Sequence, residues 1–85
     1  MTDYVPAPAD FAEAQNLVQA LCQNAARLSR PLSQSIRHWD GRGAGLFARA
    51  AKDCYQYQSG HSLGIMLRSM ANTAIIIEHR EASRR

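Results

Sequence analysis

The sequence predicts an all-α fold: a helix-turn-helix hairpin of two long antiparallel helices that associates into a four-helix bundle. The 85 residues include only three prolines and five glycines, while helix-favouring alanine, leucine, glutamine and arginine are abundant. Apolar residues recur with the helical period along most of the chain. A core this small supplies only about 3–5 kcal/mol by itself, which indicates that association completes the fold.

Helix 1 is predicted over about 10–39, after an extended N-terminal segment at 1–9. Asp10 is the expected N-cap, and Glu13 completes a capping box. Pro31 lacks a backbone N–H and predicts a kink, but not a stop. The apolar positions alternate three and four residues apart, and only a serine interrupts them. This helix 1 seam consists of Phe11, Ala14, Val18, Leu21, Ala25, Leu28, Leu32, Ser35 and Trp39.

The glycine-rich stretch after Trp39 predicts a reversal at 40–43, with Gly41 ending helix 1 in the left-handed conformation. Helix 2 then runs over about 44–80, so a single hairpin spans 10–81 and a basic tail occupies 82–85. The second half of helix 2 is apolar on nearly all sides, which is typical of a buried helix. We therefore expect a second chain to cover an interface formed by Leu63, Leu67, Met70 and Ile76.

The two cysteines, Cys22 and Cys54, are too few for a disulfide framework. If the helices are antiparallel about residue 42, Cys22 lies opposite roughly residue 62. Cys54 is then two turns away and beyond disulfide reach. Both cysteines are therefore expected to be small buried residues in a reducing compartment.

The sequence contains no pattern that predicts catalysis, a cofactor site or a metal site. Cys54 and His61 are seven residues apart and would not touch, and no further pair of ligands has a matching spacing. The net charge of +3 is unevenly spread: residues 1–26 hold three acidic residues and no lysine or arginine, and every lysine and arginine comes from Arg27 onward. Acids at a helix start and bases at a helix end suit the helix dipoles. No nucleic-acid partner is expected.

The apolar window 63–77 is interrupted by Arg68 and is too short to span a bilayer. The N-terminus lacks a cationic, apolar leader, so the chain is expected in the cytoplasm without a cleaved signal peptide.

Trp39-Asp40-Gly41 at the predicted turn resembles the Trp-x-Gly signature of the small type VII secretion proteins, the WXG or early-secretory-antigen-like family. Phe47 follows eight positions after the tryptophan, and Tyr55 lies about two turns later, as in that family. The resemblance implies a non-enzymatic helical hairpin that pairs with itself or with a paralogous hairpin. It further implies export, with a secretion ATPase or a secreted cargo as additional partners.

The end of the chain departs from the family pattern, because no Tyr-x-x-x-Asp/Glu export signal follows helix 2. Two alternatives stay open. Helix 2 is also similar to needle subunits of type III secretion systems, which are filament-forming hairpins. The similarity is carried by Tyr57, Ser62, Ile75, Ile76 and Arg80. The second alternative is a cytosolic helical adaptor that is not linked to secretion.

Overall fold

A computed structural model describes residues 4–57 and 62–84, with side chains for all of these except 55–57. The described residues form four helices: α1 (Phe11–Gln23), α2 (Ala25–Ile36), α3 (Gly41–Tyr57) and α4 (Ser62–Ser83). The predicted all-α bundle class is confirmed. The described part of the chain measures 37 × 32 × 20 Å.

The structure divides the predicted helix 1 at Asn24, not at Pro31. Asn24 leaves the helical region, with φ −145° and ψ 54°. Its N–H donates to the carbonyls of Ala20 and Leu21, closing α1, and its own carbonyl accepts from Leu28 N–H at the start of α2. Asparagine suits such a position because it favours non-helical conformations. A continuous helix over 11–39 would be about 43 Å long, longer than the folded molecule.

The predicted N-terminus of helix 1 is confirmed. Asp10 caps α1 by accepting a hydrogen bond from Glu13 N–H at 2.8 Å. Glu13 reaches back and accepts from Ala9 N–H at 2.8 Å, so the two acids satisfy free backbone donors at the helix start. This local pairing sets where α1 begins, after the non-helical residues 4–10.

The helix 1 seam contributes to the core from both α1 and α2, and it continues across the break at Asn24. Six of its nine positions are buried, including Ser35, while Phe11 at its start is exposed. The buried members are Ala14, Val18, Leu21, Leu32, Ser35 and Trp39. The periodicity therefore identified the buried side of both α1 and α2.

Helices α3 and α4 form the most extensive helix pair. Gly41 lies against Glu81, and Gly45 lies against Glu78, so these two helices are antiparallel. The facing side of α4 buries Gly64, Leu67, Met70, Ala71 and Ala74. The predicted helix 2 is thus two antiparallel helices, and residues 58–61 between them lie outside the described residues.

Helices α1 and α3 run in the same direction, which the two-helix prediction did not anticipate. Ala7 lies beside Gly43, and Cys22 lies beside Cys54. The extra reversal at Asn24 is the reason, because it returns the chain to the Trp39 end of the molecule before α3 begins. In the part of the chain that the structure describes, four helices therefore replace the two long helices.

Candidate functional site

Trp39 lies in the turn between α2 and α3 and joins three parts of the molecule. Its side chain is only 5% exposed. The indole ring stands edge-on to Phe47, with ring centroids 5.5 Å apart and an interplanar angle of 76°. The indole Nε1 donates a hydrogen bond to the carbonyl of Val5 at 2.8 Å. The tryptophan therefore fixes the N-terminal segment (residues 4–10) against the turn and α3.

Ser35 binds the backbone N–H of Val5, the residue whose carbonyl Trp39 binds. Its Oγ accepts a hydrogen bond from Val5 N–H at 2.8 Å and donates one to the carbonyl of Pro31, also at 2.8 Å. The only polar position in the helix 1 seam is thus a buried and satisfied hydroxyl. Its binding partner is 30 residues away in sequence, so the pattern alone did not indicate this role.

The predicted reversal at 40–43 is corrected, because Gly41–Gly43 form the first turn of α3. Asp40 caps this helix: its Oδ1 accepts from Gly43 N–H at 3.0 Å, and its carbonyl accepts from Ala44 N–H. The chain reverses over 37–40 instead. Gly41 therefore begins a helix, and its prediction as the left-handed end of helix 1 was wrong.

Two glycines in this turn allow close approaches that a side chain would block. A Cβ on Gly41 would lie 2.9 Å from Glu81 Cβ, and the Gly41 N–H donates to the Glu81 carboxylate. A Cβ on Gly43 would lie 2.6 Å from Ala7 Cβ. The tryptophan and the glycines therefore occur together because the N-terminal segment, α3 and the end of α4 meet here.

The predicted interface residues do not share one exposed face. Leu67 is 0% exposed and Met70 is buried within the chain's own core, where they pack without a partner. Leu63 is half-buried against the same core. Ile76 is 56% exposed. The expectation that a partner covers Leu67 and Met70 is therefore corrected: α3, with a smaller contribution from α2, supplies the apolar cover that the two-helix hairpin lacked.

The outer side of α4 carries exposed apolar side chains beside a groove. Ile65 is 66% exposed and Ile75 is 40% exposed, in addition to Ile76. Ile75 lines a groove of about 290 Å³ between α3 and α4, with a small apolar floor and a charged rim. The remaining lining residues are Gly45, Ala48, Arg49, Lys52, Glu78 and His79.

Arg49 and Glu78 form an ion pair across this groove, with Nη2 and Oε2 3.4 Å apart. Both side chains are substantially exposed, at 60% and 36%, so water screens the pair and it adds little stability. The groove therefore has a charged edge that can rearrange for a partner without a large cost.

The two cysteines contact each other, contrary to the expectation from the sequence. Cys22 Sγ and Cys54 Sγ are 3.2 Å apart, at hydrogen-bond distance, and both thiols are free. Burial is the larger cause that raises the pKa of Cys22 to about 11, and the contact with Cys54 adds to it. The prediction of separation was wrong because the Asn24 reversal makes α1 and α3 parallel.

Among the described residues, no group of three or more histidine, cysteine or acidic side chains is placed to hold a metal ion. His61, which the sequence spacing places too far from Cys54 for contact, lies outside the described residues, as do the side chains of Tyr55 and Tyr57. No helix within 4–57 or 62–84 combines the length and apolar character needed to cross a membrane.

Comparison with known proteins found no matching family model, curated protein or solved structure.

Proposed function

We propose that this chain is a non-enzymatic protein-interaction subunit that assembles with a second helical chain through the outer side of α4. One observation carries the proposal. Most large apolar residues of the described chain are covered by its own helices, but Ile65, Ile75 and Ile76 are exposed on this one helix. Ile75 and Ile76 are adjacent, and Ile65 lies on the same side of α4 beyond the exposed polar residues Arg68, Ser69 and Asn72. Exposed apolar residues grouped on one helix mark an interaction site more often than a single exposed leucine does.

The spacing of these residues supports contact with an elongated partner. Ile76 follows Ile65 by eleven residues, which is about three helical turns, so both lie on one side of α4, roughly 16 Å apart. Ile75 extends this surface into the groove between α3 and α4. We call these three isoleucines and the groove the α4 surface. A helix laid along α4 would cover all of it.

A second copy of the chain has the chemistry to occupy this surface. The groove rim carries the cations Arg49 and Lys52, whereas residues 1–26 contain acidic residues and neither lysine nor arginine. Phe11, at the start of α1, is exposed between Asp10 and Glu13. The rim also holds Glu78, which pairs with Arg49, so its net charge is positive because of Lys52. An exposed aromatic residue flanked by acids complements an apolar groove with a positive rim. We infer that the α1 start of one copy docks on the α4 surface of another, reciprocally in a dimer.

We also propose that this assembly is linked to type VII secretion. The support is the resemblance of Trp39-Asp40-Gly41, with Phe47, to the Trp-x-Gly signature. In this chain those residues hold the N-terminal segment and the helix ends together, so their part in the proposed function is to maintain the bundle. The resemblance then implies export of the dimer together with a further, different protein that carries the export signal, because this chain has no Tyr-x-x-x-Asp/Glu after helix 2.

The test is the solution mass of the purified chain, measured by light scattering over a range of concentrations under reducing conditions. We expect a concentration-dependent species of about twice the 9.4 kDa monomer mass. Ile76→Glu places a charge in the α4 surface and should shift the equilibrium to monomer. Gln34→Glu, at an exposed position on α2, is the charge-matched control and should still dimerise.

Three results would contradict parts of this proposal. An Ile76→Glu variant that dimerises as tightly as the parent would exclude the α4 surface. Open-ended polymers would favour the filament-subunit alternative over a dimer. A folded monomer at every concentration would rule out self-pairing and favour an adaptor that binds a different protein.

A further inference from the structure

Cys22 and Cys54 bring two thiols together from different helices. Cys22 lies on α1 and Cys54 on α3, 32 residues apart in sequence, and their Sγ atoms are 3.2 Å apart. Both residues are half-buried and pack against the hydrophobic core, so their positions are held by the packing of α1 on α3. Because neither is fully covered, a small reagent can reach the pair.

The contact suits a covalent bond better than the other uses of paired thiols. A metal ion held by two cysteines needs further ligands, and the described residues contain no group of three or more candidates. A hydrogen bond between two thiols is weak, because S–H is a poor donor and sulfur a poor acceptor. A disulfide needs the sulfurs about 2.05 Å apart, which a small side-chain adjustment from the observed contact can supply.

We propose that Cys22 and Cys54 are a reversible disulfide site that ties α1 to α3 under oxidising conditions. This inference is independent of the proposed pairing through α4, because it concerns one chain only. It adds a modification site to a chain in which the cysteines were expected to be inert.

The reaction takes a low-molecular-weight disulfide, such as oxidised glutathione, as its oxidant. One cysteine thiolate attacks the small disulfide, forming a mixed disulfide and releasing one small thiolate. The second cysteine thiolate then attacks the protein sulfur of that mixed disulfide and releases the other small thiolate. The two protons lost by the protein pass to the two released thiolates. The protein pair is oxidised by two electrons, and the small disulfide is reduced to two thiols.

The environment of Cys22 slows its attack on a small disulfide when no catalyst is present. The thiolate is the attacking species, and burial with the Cys54 contact raises the pKa of Cys22 to about 11. Cys22 is therefore protonated almost entirely at neutral pH. A first attack by Cys22 is therefore slow at neutral pH.

The bond would close a loop over residues 22–54. That loop contains the Asn24 break, all of α2 and the turn with Trp39. The contact between the two sulfurs would become a covalent bond. Helix α1 could then no longer move away from α3 without breaking that bond. The expected consequence is a more rigid junction between the first half and second half of the molecule.

The experiment equilibrates the reduced chain with mixtures of oxidised and reduced glutathione, in buffer and separately in denaturing urea. After acid quenching and alkylation, intact mass and a non-reducing gel give the fraction that has lost two hydrogens while remaining monomeric. We expect the disulfide to be favoured in the native chain by about a hundredfold or more over the denatured chain. Equal constants in the two conditions would overturn the proposal, as would oxidation that yields mainly linked dimers or glutathione adducts.

A matched variant moves one thiol without removing it. Cys54→Ser combined with Asp53→Cys places the thiol one position earlier on α3, at an exposed site rotated by about 100° around the helix. This variant should lose the native preference for the intramolecular bond, with circular dichroism confirming that it is helical. A variant that forms the bond as readily as the parent would show that proximity in the fold is not the cause. If it fails to fold, the comparison of native and denatured parent chain still decides.

Discussion

At the scale of single residues, Trp39 and Ser35 attach the N-terminal segment to the bundle. Neither the helix 1 seam nor the Trp-x-Gly motif indicates this role. The two side chains hold the N–H and the carbonyl of the same residue, Val5, through two hydrogen bonds of 2.8 Å. Both hydrogen bonds are partly buried. Removing the side chain from either one therefore leaves the N–H or the carbonyl of Val5 unsatisfied. This double contact is the main polar attachment of the N-terminal segment.

Trp39→Phe keeps an aromatic ring near Phe47 but removes the indole N–H. The carbonyl of Val5 then loses its partner, and we expect the free energy of unfolding to fall by about 1 kcal/mol or more. Urea unfolding followed by circular dichroism measures this change. His38→Ala, at the exposed neighbouring position, should remain within about 0.5 kcal/mol of the parent. Equal stability of Trp39→Phe and the parent would mean that the hydrogen bond is not stabilising.

Gly43→Ala tests the close approach of the N-terminal segment. The new Cβ would lie 2.6 Å from Ala7 Cβ and also close to the Asp40 carboxylate, so the backbone of the segment must move. We expect a loss of about 1–3 kcal/mol in the free energy of unfolding, as for overpacking. Gly45→Ala is the comparison, because its new Cβ meets mainly the flexible end of Glu78. It should cost less, and the opposite order in urea unfolding would contradict this account.

Cys22 predicts a pH dependence of stability under reducing conditions. Its pKa is raised from 9.0 to about 11 in the folded chain, so the folded state holds this proton more tightly than the unfolded state. The resulting stability is complete below about pH 9 and is lost as the pH rises through about 11. Urea midpoints at about pH 8 and about pH 10.5 measure the decline. Cys22→Ala should show a smaller decline, because only the other alkaline groups remain; an identical decline would exclude Cys22 as its source.

At the scale of helices, α4 has two sides with different roles. Its inner side packs Leu67, Met70 and the small residues Ala71 and Ala74 into the core, while Ile65 and Ile76 face outward. Apolar residues occur on nearly all sides of this helix in the sequence. The spacing of apolar residues alone therefore did not distinguish its buried side from its exposed side. Contacts made mainly by α3, and to a smaller extent by α2, decide which apolar residues of α4 are buried.

Leu67→Ala is therefore expected to act on folding and not on association. Removing a fully buried side chain loses its transfer free energy and leaves a cavity, with a typical cost of about 2–5 kcal/mol. Urea unfolding at a concentration where the chain is monomeric measures it. Ile65→Ala removes a similar apolar volume from an exposed position and should change the monomer's stability by about 0.5 kcal/mol or less. If Leu67→Ala instead left unfolding unchanged and weakened dimerisation, the sequence-based interface would be reinstated.

The sequence predicted the local features of these helices well. The Asp10 cap depends on a partner three residues away, and the buried positions of α1 and α2 follow from the helical period. The break at Asn24 was missed because Pro31 was the stronger local signal, although α2 continues through it. The contacts of Ser35 and Cys22 were missed because each requires the direction of a distant segment, which no local pattern specifies.

At the scale of the whole molecule, the packing of α4 on α3, together with the Asn24 reversal, allows one chain to supply much of the apolar cover that the sequence pattern assigned to a partner. The buried core draws on all four helices and on Trp39 in the turn. Association is therefore not required to bury Leu67 or Met70, and the proposed assembly concerns only the α4 surface. One chain forms the folded bundle, and the proposed second chain binds to its surface.

The oxidised chain should be markedly more stable than the reduced one. A bond between Cys22 and Cys54 closes a loop of 33 residues, 22–54, and restricting the unfolded chain in this way is worth about 3–4 kcal/mol in the loop-entropy model. Urea unfolding of the purified oxidised and reduced forms, both as monomers, measures the difference. The Cys54→Ser variant should give the same stability with and without oxidant. An oxidised form less stable than the reduced form would mean that the bond strains the α1–α3 packing.

The indole of Trp39 has a practical consequence, because it is the only tryptophan of the chain. Its fluorescence reports on a single place: the junction where the N-terminal segment is bound. Emission should lie at short wavelength while Val5 is attached, and it should move toward the red when the segment leaves and water reaches the ring. The segment's attachment and release can thus be followed optically in the unlabelled protein, separately from the helix content that circular dichroism records.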